Sequence, residues 1–177
     1  MKILALSGSL RAASVNTALL RAAVRLAGPD STIRLFQGIG ELPLFNPDLE
    51  ADDPAPVAAF RAQIMAADAL LIASPEYAHG ITGVLKNALD WMVACEAFMN
   101  KPVAILNASP RATHADASLR DIVTMMSAQI IEPASVTLAL VGAGLDEDGI
   151  VAHPEISSTL HAALEAMRAH LHPAKIK

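Results

Sequence analysis

Cysteine is nearly missing from these 177 residues, with Cys95 standing alone. No intrachain disulfide can form, and no cysteine cluster can hold a metal. Aromatic residues make up only 3% of the chain, although 53% of it is apolar. Alanine fills the difference, and alanine favours helix and lets backbones approach. Positive charge is scarce too: 13 lysines and arginines face 18 acids, a net charge of −5. A nucleic-acid partner wants a basic face, so none is expected. No apolar run reaches the roughly 18 residues of a membrane span, so no membrane partner is expected either. The opening "MKIL" enters patterned sequence at once and lacks a signal-peptide pattern, which points to the cytoplasm. The length suits a single domain over 1–177, since domains commonly run about 100–200 residues.

Short apolar runs alternate with helical patterns. "KILALS" (2–7) is unbroken and apolar, as expected of a strand buried on both faces. A helical stripe follows from Ser14 to Ala27, then an alternating strand at 32–36. Residues 37–56 form a long loop rich in proline, glycine and acid, a length that is often functional. The pattern then predicts a helix at about 56–66, a strand at 67–74, a helix at 82–95 and a strand at 101–109. A helix over 114–130, a fifth strand over 134–140 and a last helix over 154–171 complete the chain. The acidic stretch "GLDEDG" (144–149) reads as a solvated loop. Strict alternation of this kind means an α/β protein with a parallel sheet and helices on both faces. Ligands in such sheets bind outside the carboxyl ends of the strands, so the loops after strands one, three and four hold the site.

The first of these loops is "SGSLRAASVN", Ser7 to Asn16. It lacks the glycines of G-x-G-x-x-G and the glycine–lysine pair of the Walker pattern. Its chemistry still suits a terminal phosphate. Helix N-terminal N–H groups favour an anion there. Ser9, Ser14 and Asn16 offer hydrogen bonds, and Arg11 offers a charge-assisted contact. A serine at position 14 is also a plain helix cap, but capping leaves Ser9, Arg11 and Asn16 without a reason.

The loop after strand three reads "SPEYAHGITGVLKNALDW" from Ser74. Pro75 cannot donate in a ladder and ends the strand. Glu76, Tyr77 and His79 crowd one turn, where an extended backbone edge suits a flat aromatic ligand and Tyr77 suits its face. Lys86 and Asp90, at i and i+4, read as a helix-surface pair. Trp91 reads as core or subunit contact.

Together the two loops resemble the NADPH-dependent FMN reductase family, which includes quinone, azo-dye and chromate reductases. The first family motif, G-S-x-R-x-x-S-x-N, stands as Gly8, Ser9, Arg11, Ser14 and Asn16. The second stands as Pro75, Glu76 and Tyr77, then Gly83, Leu85, Lys86, Asn87, Ala88, Asp90 and Trp91. "LPLFNPDLE" (42–50) resembles the family's loop after the second strand, and the likeness weakens beyond about residue 108.

The resemblance implies a flavodoxin-like three-layer sandwich whose five-stranded parallel sheet runs 2-1-3-4-5. It places an FMN phosphate on Ser9, Arg11, Ser14 and Asn16, and the isoalloxazine against Pro75, Glu76 and Tyr77, with Ser109 beginning a third contact. It implies hydride transfer from NADPH or NADH to the flavin. The electrons then pass to a quinone, azo compound, chromate or free flavin. It also implies a homodimer or homotetramer, with the helix of Lys86, Asn87 and Asp90 near a subunit contact.

Three departures stand out. The family's Asn after P-E-Y is Ala78, and the usual proline before Gly83 is Thr82. After strand four the family has a glycine-rich turn, whereas "ASPRATHADAS" (108–118) holds no glycine. Arg111 and His114 stand there as cover for the ring, as partners of the NADPH 2′-phosphate, or as solvated loop residues. The flavin carries the redox chemistry, so no catalytic side chain or metal is expected. A flavodoxin-type electron carrier without turnover is the alternative. A hydrolase using Ser7 or Ser9 would want a G-x-S-x-G elbow, which "LSGSL" does not supply.

Overall fold

The structure is a computed structural model that describes residues 1–172. Strand β1 (Lys2–Ser7) leads into helix α1 (Val15–Leu26), then β2 (Thr32–Leu35). The loop that follows is broken by two turns of 3-10 helix, Ile39–Glu41 and Pro47–Leu49. Next come α2 (Ala55–Ala66), β3 (Ala69–Ala73), α3 (Gly83–Asp90), β4 (Pro102–Asn107) and α4 (Thr113–Met125). Two short strands, β5 (Gln129–Ile130) and β6 (Val136–Thr137), precede α5 (Glu147–Ala152) and α6 (Pro154–Leu171). All the strand pairs are parallel, in the order β2-β1-β3-β4-β5, with β6 also on β4.

The central strands β1, β3 and β4 are buried on both faces, which explains their unbroken apolar runs. Ile3 and Ala5 of β1 face α1, α5 and α6, whereas Leu4 and Leu6 face α2, α3 and α4. The first face is rich in alanine and holds Ala22, Ala23 and Ala163. The second takes the bulk: Phe36, Phe60, Phe98 and Trp91 are all buried there, and Phe45 packs on its edge. Tyr77 is the remaining member of the Phe, Tyr and Trp set, and it lies 60% exposed.

The expected fifth strand over 134–140 is corrected. Its place beside β4 is shared by β5 and β6, separated by a 3-10 turn at Glu132–Ala134 that contains Pro133. The Ser135 hydroxyl fills the gap in the ladder. It accepts from Ile105 N at 3.0 Å and donates to Ile131 O at 3.1 Å. The helix expected over 114–130 ends at Met125. Ser127 takes φ 63°, Ser127 N donates to Thr124 O and Ala128 N to Val123 O, which is a Schellman ending built without glycine. The helix expected over 82–95 ends at Asp90, although Leu85, Leu89 and Met92 are buried as its stripe implied. The acidic stretch 144–149 is a helix start rather than a free loop. Asp146 caps α5 through Gly149 N, and Arg25 of α1 bonds both Glu147 and Asp148.

Candidate active site

At the carboxyl ends of β1, β3 and β4 three loops enclose a cavity of about 390 Å³. Ser9, Arg11, Ser14 and Asn16 line it from the first loop. Pro75, Glu76 and Tyr77 line it from the second, and Ser109 from the third. The topology explains the meeting: β1 and β3 are hydrogen-bonded neighbours, and β4 flanks β3.

The first loop is pinned at Gly8. Gly8 N donates to Ala73 O at 2.8 Å, and the Thr82 hydroxyl donates to Gly8 O at 2.6 Å. A Cβ at Gly8 would stand 2.5 Å from Ser74 Oγ and 2.9 Å from Ser74 Cβ, so the residue must be glycine for this close approach. Ser14 is the cap of α1, its oxygen accepting from Thr17 N. Ser9 Oγ accepts from Arg11 N. No acid lies in the first turn of α1. The N–H groups of Ala12, Ala13, Val15 and Asn16 have no protein acceptor among the described residues. Arg11 makes no ion pair among them and lines the cavity. Asn16 is 4% exposed, and its Oδ1 has no partner among the described residues. A buried acceptor without a donor is costly.

The second loop is a tight hairpin. Tyr77 and Gly80 exchange backbone hydrogen bonds at 3.0 and 3.1 Å around Ala78 and His79, which take φ 49° and 59°. Such a turn needs two left-handed residues, the place where Asn-Gly is favoured. Where the resemblance implied a proline, Thr82 makes two bonds: besides donating to Gly8 O, it accepts from Leu85 N and so caps α3. Asn87 and Trp91 anchor the loop after β2. Asn87 accepts from Phe45 N at 2.7 Å and donates to Pro43 O at 3.0 Å, and Trp91 Nε1 donates to Pro43 O at 2.7 Å. Trp91 is thus core, with Phe45 edge-on against it. Lys86 and Asp90 form the expected surface pair.

The third loop needs no glycine, because none of residues 108–114 takes a positive φ. Asn107, buried at the end of β4, holds both sides of it: Oδ1 accepts from Ser109 N at 3.0 Å and Nδ2 donates to Ala112 O at 3.3 Å. Leu140 N and Val141 N bond Ala108 O from behind. Asn107 was not singled out from sequence, and Thr82 only as a departure from the family motif. The one signal for Asn107 is a polar amide ending an apolar strand. His114 stacks on His79, with centroids 4.2 Å apart. Ser7 Oγ is paired with Thr17 Oγ1 at 2.7 Å, and among the described residues no histidine bonds Ser7 or Ser9. No group of three or more potential ligands for a metal occurs among the described residues.

The donor set fits FMN. Free amides and Arg11 suit a phosphate dianion. The orphan Asn16 Oδ1 suits a hydroxyl donor, such as the ribityl chain carries. The extended 75–77 edge and the exposed Tyr77 ring suit a planar heterocycle.

Comparison with known proteins agrees. Residues 1–142 match the NADPH-dependent FMN reductase family. An NAD(P)H-dependent FMN reductase of Pseudomonas aeruginosa is 36% identical over 174 residues, covering 95% of this chain and 94% of its own. A probable NADPH:quinone oxidoreductase of Oryza sativa subsp. japonica is 35% identical over 178 residues, covering 96% and 88%. The solved structure of a flavoenzyme NAD(P)H:(acceptor) oxidoreductase from Paracoccus denitrificans superposes with TM-score 0.77 at 26% identity, covering 96% of this chain and 98% of that one.

Proposed function

The chain belongs to the NADPH-dependent FMN reductase family, and from that premise we propose that it is an FMN-dependent NAD(P)H oxidoreductase acting on small-molecule acceptors. The observation that carries this is the convergence of Ser9, Arg11, Ser14, Asn16, Pro75, Glu76, Tyr77 and Ser109 on one cavity. When bound, FMN supplies the redox chemistry, accepting a hydride from a nicotinamide and passing electrons onward. The protein's residues bind and orient. Arg11 and the amides of the first loop hold the phosphate, with Ser9 and Ser14 beside them. Asn16 accepts from the ribityl chain. Pro75, Glu76 and Tyr77 carry the ring along their backbone edge, and Ser109 begins the facing wall.

Acceptor choice falls to the rim. The rim in this reading is the 109–114 turn, whose Arg111 lines the cavity, with the 42–45 loop, which Asn87 and Trp91 fix through Pro43 and Phe45. A quinone, an azo compound, chromate or free flavin would meet this rim. Self-association as a dimer or tetramer is supported by Val93, Met99 and Met125, exposed apolar residues beyond α3 and at the end of α4. The compartment is the cytoplasm, where nicotinamide donors are regenerated.

The phosphate assignment is tested by titrating the protein with FMN and with riboflavin. FMN binds at least tenfold tighter, and Arg11→Ala erases most of that difference, since a charge-assisted bond contributes about 1.5–3 kcal/mol. Equal binding of the two flavins overturns the assignment.

A further inference from the structure

Helix α4 begins without a cap of its own. Its N-cap residue is Ala112, which has no side-chain acceptor to offer. Alanine is among the poorest N-cap residues. The missing acceptor comes from the opposite wall of the cavity. Glu76 Oε2, on the loop after β3, accepts from Ala115 N at 2.9 Å. A carboxylate is favoured at that end of a helix both as a hydrogen-bond acceptor and by the helix dipole. The His79–His114 stack joins the same two loops a second time. Glu76, Arg111 and Ala112 all line the cavity, so this bridge fixes the gap between the 75–77 edge and the 109–112 wall.

We propose that Glu76 is a positioning residue: by capping α4 from across the cavity it holds the glycine-free 108–114 wall against the flavin. The role rests on the FMN reading above and changes the assignment of one residue. Glu76 serves the cofactor through α4, while its backbone follows the ring. A glycine-rich turn, which the family resemblance implied at this place, would bring backbone to the flavin directly. Here the turn is bulkier, and a cross-cavity tie sets its distance.

The test uses the full chain and four variants: Glu76→Ala, Glu76→Gln, Ala112→Ser, and Glu76→Ala combined with Ala112→Ser. Amide hydrogen exchange is followed in the flavin-free protein, and FMN dissociation constants are measured by flavin fluorescence. Glu76→Ala speeds exchange at Ala115 and weakens FMN about tenfold. Glu76→Gln, whose amide oxygen still accepts, stays within about threefold of the parent in both readouts. The serine, placed at the N-cap, restores protection at Ala115 in the double variant and brings its FMN affinity close to that of Ala112→Ser alone. Unchanged exchange at Ala115 in Glu76→Ala overturns the proposal whether or not flavin binds. Equal loss of FMN in the Ala and Gln variants, with no rescue by serine, overturns it in favour of direct contact through the carboxylate charge. Failure of the parent protein to bind FMN, with the exchange results as expected, instead strikes the FMN reading.

Discussion

The Thr82 hydroxyl donates to the Gly8 carbonyl at 2.6 Å across a sequence separation of 74 residues. This bond locks the loop after β1 to the start of α3, and the same oxygen caps that helix through Leu85 N. Both loops are therefore placed by one buried side chain. Thr82→Val keeps the shape but leaves Gly8 O without that donor and α3 without its cap. It lowers stability by about 2 kcal/mol and weakens FMN, as read by urea unfolding and flavin titration. An unchanged unfolding midpoint would show the bond to be idle.

Ala78 sits at φ 49°, a conformation alanine resists and asparagine tolerates. Ala78→Asn raises stability by about 0.5–1 kcal/mol, part of the roughly 1–2 kcal/mol that the left-handed region costs an ordinary residue. Thermal unfolding checks this, and a fall in the midpoint would mean that the hairpin is held by something other than its turn.

Asn16 presents the opposite balance between folding and binding. Its buried Oδ1 has no partner among the described residues, so Asn16→Leu leaves stability unchanged or raises it by about 1 kcal/mol. FMN affinity falls at least tenfold in the same variant. Loss of stability without loss of affinity would make Asn16 a structural residue.

Lys101 closes the C-terminal end of α2, donating to Ile64 O at 3.0 Å and Ala67 O at 2.7 Å. Burial lowers its pKa from 10.5, against the opposing pull of Asp68 and Cys95. The unfolded chain then holds the proton more tightly than the folded one. The Lys101 contribution to stability therefore rises as pH climbs from the lowered folded value towards 10.5. Lys101→Met removes that alkaline rise and, by taking the donor from Ala67 O, costs about 1–3 kcal/mol at neutral pH. Urea midpoints from pH 7 upward test both parts.

What was legible in the sequence followed side-chain type and period. The strand order came with the resemblance, and each buried strand showed as an apolar run. Ser9, Arg11, Ser14 and Asn16 stood out because one capping serine did not explain the others. What stayed hidden was work that side chains do for the backbone. Ser135 completes a ladder where the fifth strand breaks, and Ser127 ends α4 in a position usually marked by glycine. Asp146 starts a helix inside an acidic run that looked solvated. The turn at 108–114 looked anomalous without glycine. Its backbone never enters the left-handed region, and Asn107 and Glu76 brace it from two sides.

The most direct measurement is an anaerobic titration of the FMN-loaded protein with NADPH, followed in the visible flavin bands. The bands should bleach with saturable dependence on NADPH and recover on addition of a quinone, over many cycles. Bleaching by NADH instead would change only the donor. A protein that takes up no FMN, or that binds FMN and is not bleached by either nicotinamide, would contradict the assignment as an NAD(P)H oxidoreductase.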